Sequence, residues 1–207
     1  MAVTLSGDPS LVLPEFDSPP ADPLALLRAW FDAAVQREVR EPWAATLATA
    51  DAAGDPSTRT LAIKGVDDRG LVFGSFTGSR KGRELAGRPR ASLTFYWRET
   101  LQQVTVAGSV ETLPDAESDA LFHHRPPLAQ ATTAASRQSE PLGSEDELRA
   151  AAAALLAAGH VARPLDWTGY RVVAERIEFW YGSTDRLHRR LQYTLAGSTW
   201  TATRLQP

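Results

Sequence analysis

The chain has 207 residues, 43% of them apolar, with no cysteine and a formal charge of -3. That is enough apolar side chain for one ample core, and the mild negative charge argues against general binding to nucleic acid or an anionic membrane. The absence of thiols excludes disulfides, thiolate zinc sites, iron–sulfur clusters and cysteine nucleophiles, and fits a reducing cytoplasm.

The N-terminus has no basic start followed by an apolar stretch, so it does not read as a signal peptide, and no apolar run is long enough to span a membrane. Residues 1–20, rich in proline, read as an extended or mobile arm, and 21–207 as a single domain. Asp22-Pro23 has the form of an N-cap followed by proline in the first helical turn. Leu24, Leu27, Trp30, Phe31, Ala34 and Val35 then recur at helical spacing, which predicts an amphipathic helix over 23–38.

After Pro42 the pattern changes to short alternating runs. Residues 43–50, 57–66 and 71–76 read as three antiparallel strands with turns at DAAGDP and DDRG. GSRKGRELAG predicts a short helix capped by Ser79 and closed by Gly87. Residues 90–97 and 101–113 follow as a hairpin, and 114–124 as a helix started by Pro114. The polar, proline-flanked segment 125–143 reads as a long connection of the kind that often carries function. Ser144 and Glu147 form a capping box for an alanine-rich helix to about Ala158. Three more strands close the chain, with turns at Gly182-Ser183 and Ala196-Gly197. Six to eight short strands and few helices predict a mainly β protein, a barrel with peripheral helices.

The chain's two lysines are Lys64 and Lys81, among 22 basic residues. Arg59 and Lys64 fall on the second strand, and Arg80 and Lys81 begin the short helix. Cations beside a helix N-terminus suit a phosphate dianion, while a solvated basic turn is the plain alternative. No P-loop or dinucleotide fingerprint is present. Arg186, His188 and Arg190 would share one face of a strand, as the wall of a pocket or as a solvent-facing edge, with Trp180 nearby. Arg137-Gln138-Ser139 is polar enough to contact a ligand. His123 and His124 are adjacent on a helix, poorly spaced for a metal, and His160 stands apart; no metal site is expected.

Taken in order, RTLAIK (59–64), GSRKGREL (78–85), QQVTV (102–106), RQS (137–139), IEFWYG (177–182) and RLHRRL (186–191) resemble the pyridoxamine 5'-phosphate oxidase family from about residue 20 to the C-terminus. The resemblance implies a homodimeric split β-barrel with FMN at the subunit interface. Carried over residue by residue, it implies FMN contacts from Arg59, Thr60, Leu61, Ala62, Ile63, Lys64, Ser75, Arg80, Lys81, Gln103, Gln138, Ser139, Trp180 and Arg190. It implies substrate contacts from Lys64, Arg125, Arg186 and His188, with Arg186 and His188 catalytic. Gly74 stands where the family commonly has an aromatic residue.

Two departures bear on the substrate. Members that form pyridoxal phosphate carry a tyrosine four residues before the arginine of RPP and a serine four after it; here these are Leu121 and Ala129. Several stretches, among them LPEFDSPPADPL, YWRETLQQ and SRQSE, are instead similar to the flavin oxidases of phenazine biosynthesis. That branch implies an oxidase taking a hydride equivalent from a reduced phenazine carboxylate to flavin N5, with oxygen as acceptor. Lys64 fits the phosphate-handling members better, so an aromatic carboxylate and a B6 phosphate both stand as substrate classes. A flavin-binding protein without turnover is the reading from another class.

Overall fold

The computed structural model describes residues 10–207. The expected arm therefore lies partly outside the described residues, and its described part, from Ser10, is not extended. Pro14–Phe16 form a 3-10 turn. Glu15 accepts a 2.6 Å hydrogen bond from Trp30 Nε1, and Phe16 is fully buried. The guanidinium groups of Arg189 and Arg204 lie over the Phe16 ring, 4.8 and 5.8 Å from its centroid. Leu11, Leu13 and Phe16 explain the docking: full burial of each such side chain is worth about 1.5–3 kcal/mol, and the prolines reduce the order that the segment has to lose.

Helix α1 (Pro23–Gln36) begins as its sequence predicts. The Asp22 carboxylate accepts from the Leu24 and Ala25 amides at 2.9 and 3.1 Å. Its apolar stripe buries Leu24, Leu27, Trp30, Phe31 and Ala34. Val35, expected on that stripe, is half exposed because it sits off the edge of the buried arc.

The strands are β1 (Ala44–Ala50), β2 (Pro56–Ala62), β3 (Gly65–Val66), β4 (Gly70–Phe76), β5 (Arg90–Trp97), β6 (Gln102–Thr112), β7 (Trp167–Tyr181), β8 (Arg189–Ala196) and β9 (Thr199–Leu205). All pairings are antiparallel, in the order β2-β1-β5-β6-β7-β4-β3, with β8 on β7 and β9 on β8. The strand expected over 57–66 is divided because the chain changes partners there. Ile63 N donates to Trp43 O on the β1 side, and Lys64 N donates to Val72 O on the β4 side. The two edges of the sheet thus meet at Ile63–Lys64.

Strand β7 is the spine. One edge follows β6; the other pairs with β4 through its first half and with β8 through its second. From Trp167 to Trp180 the strand path is about 40 Å. Side chains alternate along the strands, so Phe95, Val104, Phe179 and Leu191 fill the core.

The described residues form five α-helices: α1, α2 (Arg80–Gly87), α3 (Asp115–His123), α4 (Pro127–Ala135) and α5 (Glu145–Ala157). Helix α4 corrects the reading of 125–143 as a connection without structure. Pro126 and Pro127 start it, since a fixed φ costs nothing where the first amides need no helical partner. It packs against α5, and Ala131 joins Phe76, Phe122, Val161 and Trp167 in a second apolar cluster. Among the described residues, no helix is long and apolar enough to cross a membrane.

Candidate active site

The start of α2 carries Arg80 and Lys81 and brings Arg59 beside them. Ser79 caps the helix, its Oγ accepting from Gly82 N at 3.2 Å and donating to Phe76 O at 2.8 Å. Lys81 folds back so that Nζ donates to Gln138 Oε1 at 2.9 Å and to Ser79 Oγ at 3.3 Å. Ser75 Oγ donates to the same Gln138 oxygen at 3.3 Å, and Arg80 N donates to Ser139 Oγ at 3.2 Å. Ser75, Arg80, Lys81, Gln138 and Ser139 therefore form one cluster. Ser139 holds a left-handed φ of 77, a conformation uncommon outside glycine.

Sequence reading missed the residue that organises this end. Glu84 is buried, with its side chain 5% exposed, and faces Arg59, Arg80, Thr49 and Ser57. Arg59 is 3.3 Å from one carboxylate oxygen and Arg80 Nε is 2.9 Å from the other. Burial works to raise the Glu84 pKa, but the hydrogen bonds from Thr49, Ser57, Arg80 and Arg59 outweigh it and hold the carboxyl at about 2. Lys81 is also pulled down, from the usual lysine range to about 8, through burial first and the nearby Arg59 charge second, with Glu84 partly opposing. A single glutamate in a helix gives no sequence signal of this kind; only the packing of α2 on β1 and β2 creates it.

Beside this cluster lies a cleft of about 840 Å³, lined in part by Lys64, Leu121, His124, Arg125, Ala129 and Arg171. Leu61 and Ala62 wall a small adjoining pocket together with Lys64, Gly74, Arg125 and Trp167. Thr60 is exposed on β2, while Ile63 is 3% exposed, its side chain largely in the core. Arg125 is the unusual member. Its Nη2 donates to Thr133 Oγ1 at 2.7 Å, and its guanidinium carbon lies 5.6 Å from the Phe122 ring centroid and 5.4 Å from that of Trp167. Burial pulls its pKa below the usual arginine range. Among the described residues, Arg125 Nη1 is the one buried side-chain nitrogen or oxygen without a hydrogen-bond partner.

The remaining predicted residues sit at the far end of β7. Gln103, Trp180 and Arg190 are direct cross-strand neighbours on β6, β7 and β8. Exposed Tyr96 of β5 extends the same row, unnoticed in the sequence. Arg190 is held by Glu178 at 2.7 Å and donates to Gln206 O at 3.2 Å. Arg186 and His188 do not share a strand face with Arg190, because β8 starts only at Arg189. The Asp185 carboxylate accepts from Ser183 Oγ and Leu187 N, which extends the turn and leaves Arg186 at a left-handed φ of 67. His188 still reaches Trp180, ring to ring at 5.1 Å, and its Nδ1 accepts from Ser183 N at 3.1 Å. His160, isolated in sequence, stacks on His123 at 5.7 Å.

The structure is thus a meandering antiparallel sheet whose edges meet, with a cluster of cations at a helix start beside a cleft, a mainly β class of protein. The family model described as pyridoxamine 5'-phosphate oxidase matches residues 31–157, and one described as the pyridoxine 5'-phosphate oxidase C-terminal dimerisation region matches 167–207. The chain belongs to the pyridoxamine 5'-phosphate oxidase family and is an oxidoreductase of the oxidase type.

A dihydrophenazinedicarboxylate synthase of Burkholderia lata is 44% identical over 205 residues, 99% of this chain and 97% of that protein. A pyridoxine/pyridoxamine 5'-phosphate oxidase of Thermosynechococcus vestitus is 47% identical over 188 residues, 90% of this chain and 89% of that protein. The crystal structure of PhzG from Burkholderia lata in complex with tetrahydrophenazine-1-carboxylic acid superposes with a TM-score of 0.93, at 44% identity, over 96% of this chain and 98% of that one.

Proposed function

We propose that the protein is an FMN-dependent oxidase of a reduced phenazine carboxylate, acting in phenazine biosynthesis as a homodimer. Residues 21–207 form one FMN-binding split barrel. The carrying observation is the Arg125 cleft: a cation with a buried, unpaired N–H, next to Leu121 and Ala129 where phosphate-handling members place hydroxyls. Such a site favours an apolar ring bearing a carboxylate, because a phosphate needs more donors than it offers. Identity alone does not separate the two activities, at 44% and 47%, but the match to the phenazine relative extends over 99% of the chain against 90%.

The α2 cluster fits the phosphate of FMN. Lys81, the α2 N-terminus, Gln138 and Ser139 supply the donors, and Arg59 is held beside them by Glu84. Held there by these residues, FMN would supply the two-electron redox chemistry between the substrate and oxygen. The chain's own residues bind and orient. Lys64 and Arg125 hold the substrate carboxylate. Gln103, Trp180 and Arg190 lie about 40 Å along β7 from Trp167, too far to meet one flavin from the same chain. They come instead from the partner subunit, with Arg186 and His188, which a homodimer supplies. His188 Nδ1 is occupied by the Ser183 amide, so Nε2 is the atom that faces the substrate.

Lys64, which lines the cleft, favours a B6 phosphate as the second reading. Anaerobic bleaching of the FMN-loaded protein decides between them. Tetrahydrophenazine-1-carboxylic acid should reduce the flavin faster than pyridoxine 5'-phosphate. The reverse order overturns the proposal, and no reduction by either makes the protein a flavin carrier.

A further inference from the structure

Arg125 follows α3 and is clamped on three sides. Phe122 and Trp167 lie against its guanidinium and meet each other edge to face, with centroids 5.2 Å apart at 72°. Trp167 in turn lies tight on Gly74: a Cβ added at residue 74 would come within 2.2 Å of the indole Cζ2. The third side is Thr133 of α4, itself 9% exposed, whose hydroxyl takes Arg125 Nη2 at 2.7 Å. With two rings at its sides and one Nη2 N–H engaged, the guanidinium keeps Nη1 buried and without a partner.

The flanking rings account for where the guanidinium sits, and Thr133 for how it is turned. Arginine grips phosphate best through two parallel N–H donors. A phosphate monoester carries about -1.5 to -2 charges and three acceptor oxygens, so it gains from every additional donor. A carboxylate has two oxygens and one charge, and one arginine N–H together with Lys64 from the same cleft satisfies it. Leu121 and Ala129 add no donor to either ligand.

We propose that Thr133 is a specificity-determining residue: by engaging one N–H of Arg125 Nη2 it fixes the rotation of the guanidinium and lowers the number of donors left for a ligand, which selects an aromatic carboxylate over a phosphate monoester. This rests on the oxidase reading above for the identity of the carboxylate, but the hydrogen bond and the unpaired nitrogen are independent of it. Removing the hydroxyl frees that N–H and the rotation of the guanidinium, which adds a donor for a phosphate oxygen.

The test is calorimetric titration of the FMN-loaded protein with phenazine-1-carboxylate and with pyridoxal 5'-phosphate, in the wild type, Thr133→Val and Thr133→Ser. Thr133→Val should shift the ratio of the two affinities by about tenfold toward the phosphate, while Thr133→Ser, which keeps the hydroxyl, should leave it within about threefold. A purely structural role would weaken both ligands together and leave the ratio in place. A ratio unchanged in Thr133→Val overturns the proposal, as does an equal shift in Thr133→Ser. If the valine variant does not fold, Thr133→Ala is judged by the same ratio. Wild-type protein that binds the phosphate more tightly than the carboxylate would overturn the oxidase reading, and the variants would still decide the role of Thr133.

Discussion

At the Trp167 end of β7, Arg59 and Arg80 converge on Glu84, Lys81 is capped by Gln138 and Ser79, and the cations have intrachain partners before any ligand arrives. At the Trp180 end, Arg186 is exposed on a left-handed turn and His188 is fixed by one hydrogen bond and one ring contact. The first end is rigid because several positive charges drawn together repel one another and need a buried counter-charge. The second faces outward and carries little mutual repulsion, so it folds without such a device and takes its final surroundings from a partner subunit and substrate. One end stores affinity in preorganisation; the other leaves its geometry to assembly.

The largest test of this contrast is Glu84→Gln. Removing one partner of a fully buried ion pair costs about 3–5 kcal/mol; with Arg80 largely exposed, about 2–3 kcal/mol is expected in denaturant unfolding. FMN affinity should fall with it. The acid limb carries the same signature. Glu84 has a folded pKa of about 2 against an ordinary 4.5, so its stabilisation is complete above pH 4.5 and is lost as pH falls toward 2. Stability measured across that window should flatten in the variant.

Gly74→Ala comes next. Its methyl group meets the Trp167 indole within 2.2 to 2.5 Å, and overpacking of that kind costs about 1–3 kcal/mol. Thermal unfolding should show the loss, and Arg125 should lose its stacking partner along with it.

Lys81→Met should weaken FMN binding by about tenfold at neutral pH, with little loss of stability, since it also removes a buried charge. In the wild type the lysine titrates near 8 when folded and 10.5 when unfolded. The apo-protein should therefore gain stability as pH rises from 8 toward 10.5, while FMN affinity declines through the same range. Both trends should vanish in Lys81→Met.

The smallest effect on folding belongs to the open end. Arg186→Ala and His188→Asn should change stability by no more than about 0.5 kcal/mol and retain flavin, while substrate reduction of the flavin slows. If either destabilises the protein as much as Glu84→Gln, the two ends are not different in kind.

Much of this was legible from local signals. Asp22, Ser79 and Ser144 each cap the helix their sequence announces, because an N-cap is a contact between residues two or three apart. The strands followed from alternation, and the ordered motifs carried the family. Helix α4 was hidden because Pro126-Pro127 and a run of Ala and Thr resemble a connection until α5 packs against them. The arm's Phe16 was overlooked among prolines because its partners, Arg189 and Arg204, lie far along the chain. Residues 186–188 read as strand in the sequence because the Asp185 carboxylate that prolongs the turn gives no periodic signal.

The sequence by itself determined the alternating strands, the capped helices and the kinds of residue available to bind an anion, since all of these depend on neighbours within a few positions. Tertiary structure alone decided that Glu84 neutralises Arg59 and Arg80, that Thr133 engages one N–H of Arg125, and that the predicted site divides between the two ends of β7. Those outcomes depend on charges and donors brought together from distant parts of the chain, where burial removes water and makes each remaining partner count.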